Sequence, residues 1–495
     1  MAAGRSLPPP PLPDFGELLE ASQLLAADPA LRDPARIWIA GGPAARDRVA
    51  RRTARLTEPS YGPATIAAVG QTAADLARGA AGSLSTPRGR RDPRAPLREL
   101  VEAGGPTYVK LGQFIATAHG LLPDAWVSAF GWCRDAARPL RPGVAEERIE
   151  RRIGAPLGSA FAEFDPEPLG AASIGQVHAA RLHDGTEVVV KVRRPGVARQ
   201  FVRDLRALAA AAGAAERASK AARTANLGGF VELFGQLAME ECHFGFEATN
   251  QIEIALASEA AGHDQAVLPR PIPHLAFEDV LAMTRVAGVP YDVAARRYPE
   301  AIDGERLLRL AITMVIEHLV AFGRFHGDLH AGNVLIGPDG TLGLIDFGIV
   351  GRIDATRRVA VVELLFGFGR NDTAMQVRAL QRFGALPRNR HAATFVRMLE
   401  AELDAVAPDL RDRSAALTVD ALGPALAAVV RVLVNNGFRL PKELVLIFKN
   451  LLYLNGFASA LAPGTNLLGE IEPIFGYFLE RYPAELAQIL TIVQE

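Results

Sequence analysis

Cysteine is nearly absent from this chain of 495 residues: Cys133 and Cys242 are the only two. Two isolated thiols build neither a disulfide framework nor a zinc knuckle, so the natural setting is a reducing, intracellular one. Net charge is missing too. At a formal value of −1, no global field draws the chain to nucleic acid or to an anionic membrane. Nor is there an uninterrupted apolar run of the roughly 18 to 20 residues that a membrane-spanning helix requires. Residues 307–325 come nearest and are broken by Arg309, Glu317, His318 and Arg324. The opening string MAAGRSLPPPPLPDF is proline-rich, where a secretory signal would carry an apolar core. These absences describe a cytoplasmic chain with no nucleic-acid partner, for which any membrane contact is peripheral.

What is present fits a soluble globular protein: 49% hydrophobic and 22% charged residues, enough chain for about three folding units. Residues 1–95 form a variable, partly flexible region with a proline run at Pro8 to Pro11 and arginine-heavy segments at Arg46 to Arg55 and Arg88 to Arg94. Such segments are read as a solvated helix face or as a contact for acidic lipid headgroups. Residues 96–160 follow a helical pattern. At residues 168–193 the period changes to that of a β-meander, with a hairpin signal at Asp184-Gly185. Alanine-rich helical sequence runs from about Val202 to Ala257, strand-like pieces lie near Leu281 to Val289, and helix dominates from Gly304. A loop-strand-turn-strand unit from His326 to Asp346 interrupts it, and no fixed-period repeat is present.

Two stretches carry chemistry. The first is Gly170-Ala171-Ala172-Ser173-Ile174-Gly175-Gln176-Val177, in the frame of a nucleotide-covering loop G-x-G-x-x-G-x-V with Ala172 in place of the middle glycine. Small residues there let backbone N–H groups approach phosphate oxygens. Fourteen residues past Val177, Lys191 lies within Val188-Val-Val-Lys-Val192. An ammonium in an apolar strand calls for an anionic partner, which phosphates and a helix carboxylate would supply.

The second stretch is His326-Gly-Asp328-Leu-His-Ala-Gly-Asn333 followed by Gly343-Leu-Ile-Asp346-Phe-Gly348. Asp328 and Asn333 are five apart, the separation in the kinase loop H-R-D-x-x-x-x-N, and Asp346 falls thirteen beyond Asn333. Phosphoryl transfer needs a cation across the phosphate oxygens and a carboxylate to position the attacking hydroxyl or water. Asn333 and Asp346 would hold Mg²⁺ or Mn²⁺ through hard oxygen ligands, and Asp328 would orient or deprotonate the nucleophile. His326 is read as a structural loop residue, and His330 stays open between the two roles.

At this point the sequence resembles the UbiB/AarF family of atypical kinases, which includes the coenzyme-Q kinases. Lys110-Leu-Gly-Gln113 is similar to that family's K-x-G-Q motif, Gly170 to His178 to its alanine-rich loop, and Val188 to Arg194 to its lysine strand. His326 to Gly348 is similar to its catalytic and metal loops, and Arg439 to Leu444 with Leu461 to Pro463 to its C-terminal helices. The resemblance implies that Lys110 and Gln113 regulate the site from a helical extension. There Lys110 would block peptide access, favouring ATP hydrolysis or phosphorylation of a small molecule or lipid in isoprenoid-quinone or lipid metabolism. It also implies that Glu247, in Glu247-Ala-Thr-Asn250, pairs with Lys191. The family's E-x-D stands here as Glu241-Cys242-His243, so the acidic partner expected opposite Lys110 is half present.

The fold expected is α+β and two-lobed like a protein kinase. Residues 161–285 would form a small sheet-rich lobe, residues 286–495 a helical lobe, and residues 96–160 a helical extension. Helical sequence resumes from Ala355 with no A-P-E string, which leaves no room for a long activation segment. Two other functions remain open. One is a phosphotransferase of the aminoglycoside or choline kinase type, which shares H-G-D-L-H-x-G-N but lacks the K-x-G-Q and S-I-G-Q-V-H strings. The other is a scaffold that senses ATP without turnover.

Overall fold

The computed structural model describes residues 8–84, 95–116, 128–135, 138–224, 226–299, 302–370, 372–386, 392–406, 419–436, 438, 440–463, 465 and 471–494. The basic segment Arg88 to Arg94 and Arg439 lie outside these residues. The strands, in chain order, are β1 Phe161–Ala171, β2 Gly175–Leu182, β3 Glu187–Arg193, β4 Ala266–Val267, β5 Pro271–Ala276, β6 Val280–Thr284, β7 Val289–Pro290, β8 Arg324–His326, β9 Val334–Ile336, β10 Leu342–Leu344 and β11 Val350–Arg352. The chain divides into two compact units.

One unit comprises Asp33–Thr249 and Pro269–Arg285 and carries an antiparallel sheet in the order β1-β2-β3-β6-β5. The period-2 alternation of β3 decides its two faces. Val188, Val190 and Val192 are fully buried in a core with Ile149, Phe161, Leu275 and Val280, while Lys191 projects from the other face. The Asp184-Gly185 signal is a tight turn: Gly185 takes a φ of 88°, and Asp184 Oδ1 accepts from the Thr186 amide at 2.9 Å. Helix Val144–Ile153 packs on the valine face, where Arg148 and Arg152 grip the buried carboxylate of Asp279 at 2.6 and 2.5 Å.

The alanine-rich stretch is broken rather than continuous. Helix Val197–Ala218 stops at Ser219, and helix Leu227–Glu241 starts at Asn226, whose side chain accepts from the Gly229 amide. Polar residues that bond the local backbone end helices in this way. Helix Phe244–Ala261 then supplies Glu247 to this unit and Asn250 to the other. Residues before 85 are also helical, in Pro29–Thr57 and Pro63–Leu84.

The second unit comprises Met1–Arg32, Asn250–Leu268 and Val286–Glu495. It holds a sheet in the order β4-β10-β9-β7 and a two-stranded ladder of β8 with β11. Its main helices include Gly304–Val320, started by Asp303, whose carboxylate accepts from the Arg306 amide at 3.0 Å. Among the described residues one helix is long and apolar enough to cross a membrane. It is Lys442–Leu461, not the 307–325 stretch, and 56% of its apolar window is buried inside the protein. Two buried devices tie down the ends of this unit. Glu317, fully buried, accepts hydrogen bonds from Tyr477 and Tyr482 near the C-terminus. At the N-terminus, the guanidinium of Arg358, 2% exposed, donates to the carbonyls of Pro10 and Pro11, and Gln488 donates to that of Pro8.

Candidate functional site

In the unit bearing the five-stranded sheet, Lys191 sits on the face of β3 opposite the valine core, in register with Val177 on β2 and Leu281 on β6. Its Nζ donates to both oxygens of Glu247, at 2.7 and 2.9 Å. The Glu247 side chain is 2% exposed and that of Lys191 16%. Two-oxygen contact to a buried carboxylate fixes where the ammonium points, which a single long side chain on a solvated face would not do.

The loop expected at Gly170 to Val177 is the β1–β2 hairpin. Gly170 and Ala171 are on β1, paired with Val177 and Gln176, and Ala172 to Ile174 form the turn, closed by the Ala172 amide on the Gly175 carbonyl at 2.8 Å. A side chain at Gly175 would meet the Val192 carbonyl oxygen at 2.6 Å, so only glycine lets the turn lie on β3. Arg194 holds the turn from beneath: its amide donates to the Ile174 carbonyl at 2.8 Å and its Nε to that of Ala172 at 3.0 Å. Burial pushes the Arg194 guanidinium below its usual value.

Helix Pro106–Ala116 brings the K-x-G-Q residues to the same unit. Ser173 donates to Gln113 Oε1 at 3.2 Å, and Gln113 Nε2 donates to the Cys133 carbonyl at 3.2 Å, so the amide ties the hairpin turn to the helix. Lys110 Nζ lies 2.5 Å from Glu241 Oε2, with side-chain exposures of 18% and 9%. Glu241 alone thus supplies the partner that the altered E-x-D left in question. In place of the motif's Asp, His243 stacks on Phe246 with ring centroids 4.3 Å apart, and burial pushes its imidazole below the usual value. Burial pushes both Cys133 and Cys242 up to about 12, so neither is a ready thiolate.

In the other unit, β8 ends at His326, and the loop returns through a short 3₁₀ turn, Ala331–Asn333, into β9. His326 accepts at Nδ1 from the Asp328 amide, 3.1 Å away, and donates from Nε2 to the Ile345 carbonyl at 3.0 Å. Both ring nitrogens being engaged, and burial lowering its pKa, it is a neutral structural residue. Asn333 donates from Nδ2 to the Asp328 carbonyl at 2.9 Å, which leaves Oδ1 as the atom it offers. Asp346 has a φ of 59°, the left-handed conformation that Asp tolerates at a cost of about 1 kcal/mol. Its Oδ1 accepts from the Gly348 amide at 3.3 Å. The following residue, Phe347, is fully buried against the His326 ring, and its carbonyl accepts from Asn250 Nδ2 at 2.6 Å.

Sequence reasoning missed Lys449. It donates to Asp328 Oδ1 at 3.1 Å, while His330 Nε2 stands 4.0 Å from Oδ2. A signal existed: Lys449-Asn450 interrupts an apolar run on helix Lys442–Leu461, the same anomaly that singled out Lys191. Asn450, 2% exposed, donates to the His326 carbonyl. Gln176 and His178 were also passed over. They form a buried chain in which Gln176 Oε1 accepts from the Leu140 amide at 2.7 Å, Gln176 Nε2 meets His178 Nε2 at 2.6 Å, and His178 Nδ1 meets the Asp165 carbonyl at 2.8 Å.

Among the described residues no group of three or more His, Cys, Asp or Glu side chains is arranged to hold a metal ion. Asn333 Oδ1 and the Asp346 carboxylate are hard oxygen donors, the chemical type that suits Mg²⁺, an ion held by few protein oxygens together with water and phosphate.

The comparisons with known proteins give the family. The sequence model of the ABC1 atypical kinase-like domain matches residues 133–380, half of the chain, and the chain belongs to that family of atypical kinases with a kinase-like α+β fold. An uncharacterized aarF domain-containing protein kinase of Arabidopsis thaliana, chloroplastic, is 32% identical over 391 residues, 75% of this chain and 72% of that protein. A probable protein kinase UbiB of Azotobacter vinelandii is 31% identical over 402 residues, 80% of this chain and 73% of that one. Among solved structures, Rv3197 of Mycobacterium tuberculosis in complex with erythromycin has 21% identity and a TM-score of 0.45, covering 80% of this chain and 98% of that one.

Proposed function

We propose that the chain binds ATP with Mg²⁺ or Mn²⁺ and either hydrolyses it or passes its γ-phosphoryl group to a small molecule or lipid. The observation that carries this reading is the strand lysine held by both oxygens of a buried helix glutamate. A fixed ammonium is what a triphosphate requires and what a merely solvated lysine never offers. On this reading residues 161–285 are the nucleotide-covering lobe and residues 286–495 the catalytic lobe. Residues 96–160 are the regulatory extension and residues 1–95 a variable region.

Each residue then has a role. Lys191, aimed by Glu247, holds phosphate oxygens, and the turn of small residues from Gly170 to Gly175 brings backbone amides to them, with Val177 beneath the base. Asn333 and Asp346 hold the divalent ion, which neutralises charge on the phosphates when bound. Asp328 orients the acceptor hydroxyl or water and receives its proton, and Lys449 keeps that carboxylate in place. Lys110, paired with Glu241, and Gln113, bonded to Ser173, restrain the extension against the hairpin. Support for an acceptor in isoprenoid-quinone or lipid metabolism, reached by peripheral membrane contact, is the likeness to the UbiB kinases.

The test is phosphate release from ATP by the purified chain, with and without Mg²⁺, phenolic quinone analogues and anionic liposomes. Mg²⁺-dependent release that Asp346→Asn abolishes, with ATP affinity lowered by Lys191→Ala, is the expected result. Binding of ATP with no release under any condition supports the ATP-sensing scaffold. Release undiminished in Asp346→Asn removes the metal role.

A further inference from the structure

The unit bearing the five-stranded sheet holds a second feature that the phosphotransferase reading does not use. Two adjoining open clefts share Arg52, Val202 and Arg206 in their walls. One wall is helix Pro29–Thr57, which contributes Arg48, Arg51, Arg52 and Arg55. Their spacing of three, four and seven residues puts all four on one helical stripe. The facing wall is helix Val197–Ala218, which contributes Arg199, Arg203 and Arg206, again spaced to share a face. Helix Pro63–Leu84 closes the side with Ala64, Ala67 and Ala68, and on it Ile66 and Val69 are exposed at 66% and 43%.

Two of the seven guanidinium groups are neutralised: Arg51 by Asp47, and Arg203 by Asp75 and Asp204. Among the described residues the other five, Arg48, Arg52, Arg55, Arg199 and Arg206, have no ion pair or side-chain hydrogen bond. Like charges one helical turn apart repel, so two facing stripes of them destabilise the free protein. An anion would remove that repulsion. Guanidinium prefers phosphate because its planar fork matches two phosphate oxygens at once. Five unpaired forks on two walls of an open cleft outnumber the oxygens of a single phosphate group, so the ligand carries several. Aromatic side chains are absent from the residues lining both clefts, so single-stranded nucleic acid would find nothing to stack on.

We propose that this arginine-lined cleft binds a multiply charged phosphate ligand, either a free polyphosphorylated anion or the headgroups of an anionic bilayer. The site is independent of the phosphotransferase reading and stands whether or not that reading holds.

The test uses the full chain and the triple variant Arg52→Gln, Arg55→Gln, Arg206→Gln, which removes charge at exposed or half-buried positions while keeping good helix formers. Binding of inorganic tripolyphosphate, and of vesicles of phosphatidylglycerol in phosphatidylcholine against phosphatidylcholine alone, is measured at low and high salt. The wild type should bind one or both anionic probes, more weakly as salt rises. The triple variant should lose about tenfold in affinity, as expected for three exposed charge contacts. The bound probe should raise the melting temperature of the wild type only. Tripolyphosphate without vesicles points to a soluble ligand, and vesicles without tripolyphosphate to headgroups. Phosphate release from ATP should be unchanged in the variant. Equal affinity in wild type and variant, or no binding of either probe by the wild type, overturns the proposal.

Discussion

Replacing Lys191 by Met removes one partner of a pair whose oxygens lie 2.7 and 2.9 Å from the ammonium, and leaves Glu247 charged at 2% exposure. At 2.7 Å the attraction is about 6 kcal/mol with an effective dielectric constant of about 20. Desolvating both groups offsets much of it, and the cost of breaking such a pair from one side is about 3–5 kcal/mol. Substituting both partners, Lys191→Met with Glu247→Leu, removes the stranded charge as well, so the double variant should regain about 2 kcal/mol or more over the sum of the singles. Urea unfolding of wild type, both singles and the double variant gives that coupling directly. Single-variant losses that simply add, within about 0.5 kcal/mol, would mean that the contact exerts no force on the fold, and the account of Lys191 as a fixed ammonium would fail with it.

Other perturbations follow from the same geometry. Lys449→Met should lower the rate of phosphate release by about tenfold or more, the worth of a charge-assisted hydrogen bond, with KM for ATP little changed; an unaltered rate would make the Asp328 contact purely structural. Gly175→Ala forces a Cβ against the Val192 carbonyl and should cost about 1–3 kcal/mol, read as a lower urea midpoint. Burial holds His318 down to about 3 and lowers His243 and His326 too. Below the ordinary histidine range the unfolded chain takes up protons that the folded chain refuses, so stability is full above about pH 6.5 and declines as pH falls, by at most about 1.4 kcal/mol per pH unit for each histidine. His318 Nε2 lies 3.1 Å from Ser258 Oγ, so His318→Gln, which can still meet that hydroxyl, should flatten the decline between about pH 6 and 4; an unchanged slope would show that His318 is not held neutral.

Local strings were legible where the chemistry is local. Asp184-Gly185 dictates its own turn, and His326 to Asp346 forms a loop-strand-turn-strand unit in which Asn333 reaches the Asp328 carbonyl five residues back. The resemblance supplied Glu247, and the geometry of the pair is the one it implied. Partners that meet across long loops were not legible. Lys449 comes to Asp328 from 121 residues away, and no spacing rule connects them. The insertion of β6 between β3 and β5 is a choice of neighbour that alternation of side chains leaves open. The Glu241–Lys110 contact was in doubt because the motif was altered at its last position, yet one carboxylate suffices to meet one ammonium. Among the described residues, the breaks in the alanine-rich stretch depended on single polar residues, Ser219 and Asn226, whose effect a composition average hides.

The leading residues of a chain are usually treated as disposable, and affinity tags are joined to them freely. In this protein the carbonyls of Pro8, Pro10 and Pro11 are the acceptors for Gln488 and for the 2%-exposed guanidinium of Arg358. Proline has no amide hydrogen to give, so this stretch meets its neighbours as a row of oxygens alone. Removing Pro8 to Pro11 would strand a cation in the interior, so the row of oxygens acts as a built-in counter-pole for Arg358 rather than as a loose leader.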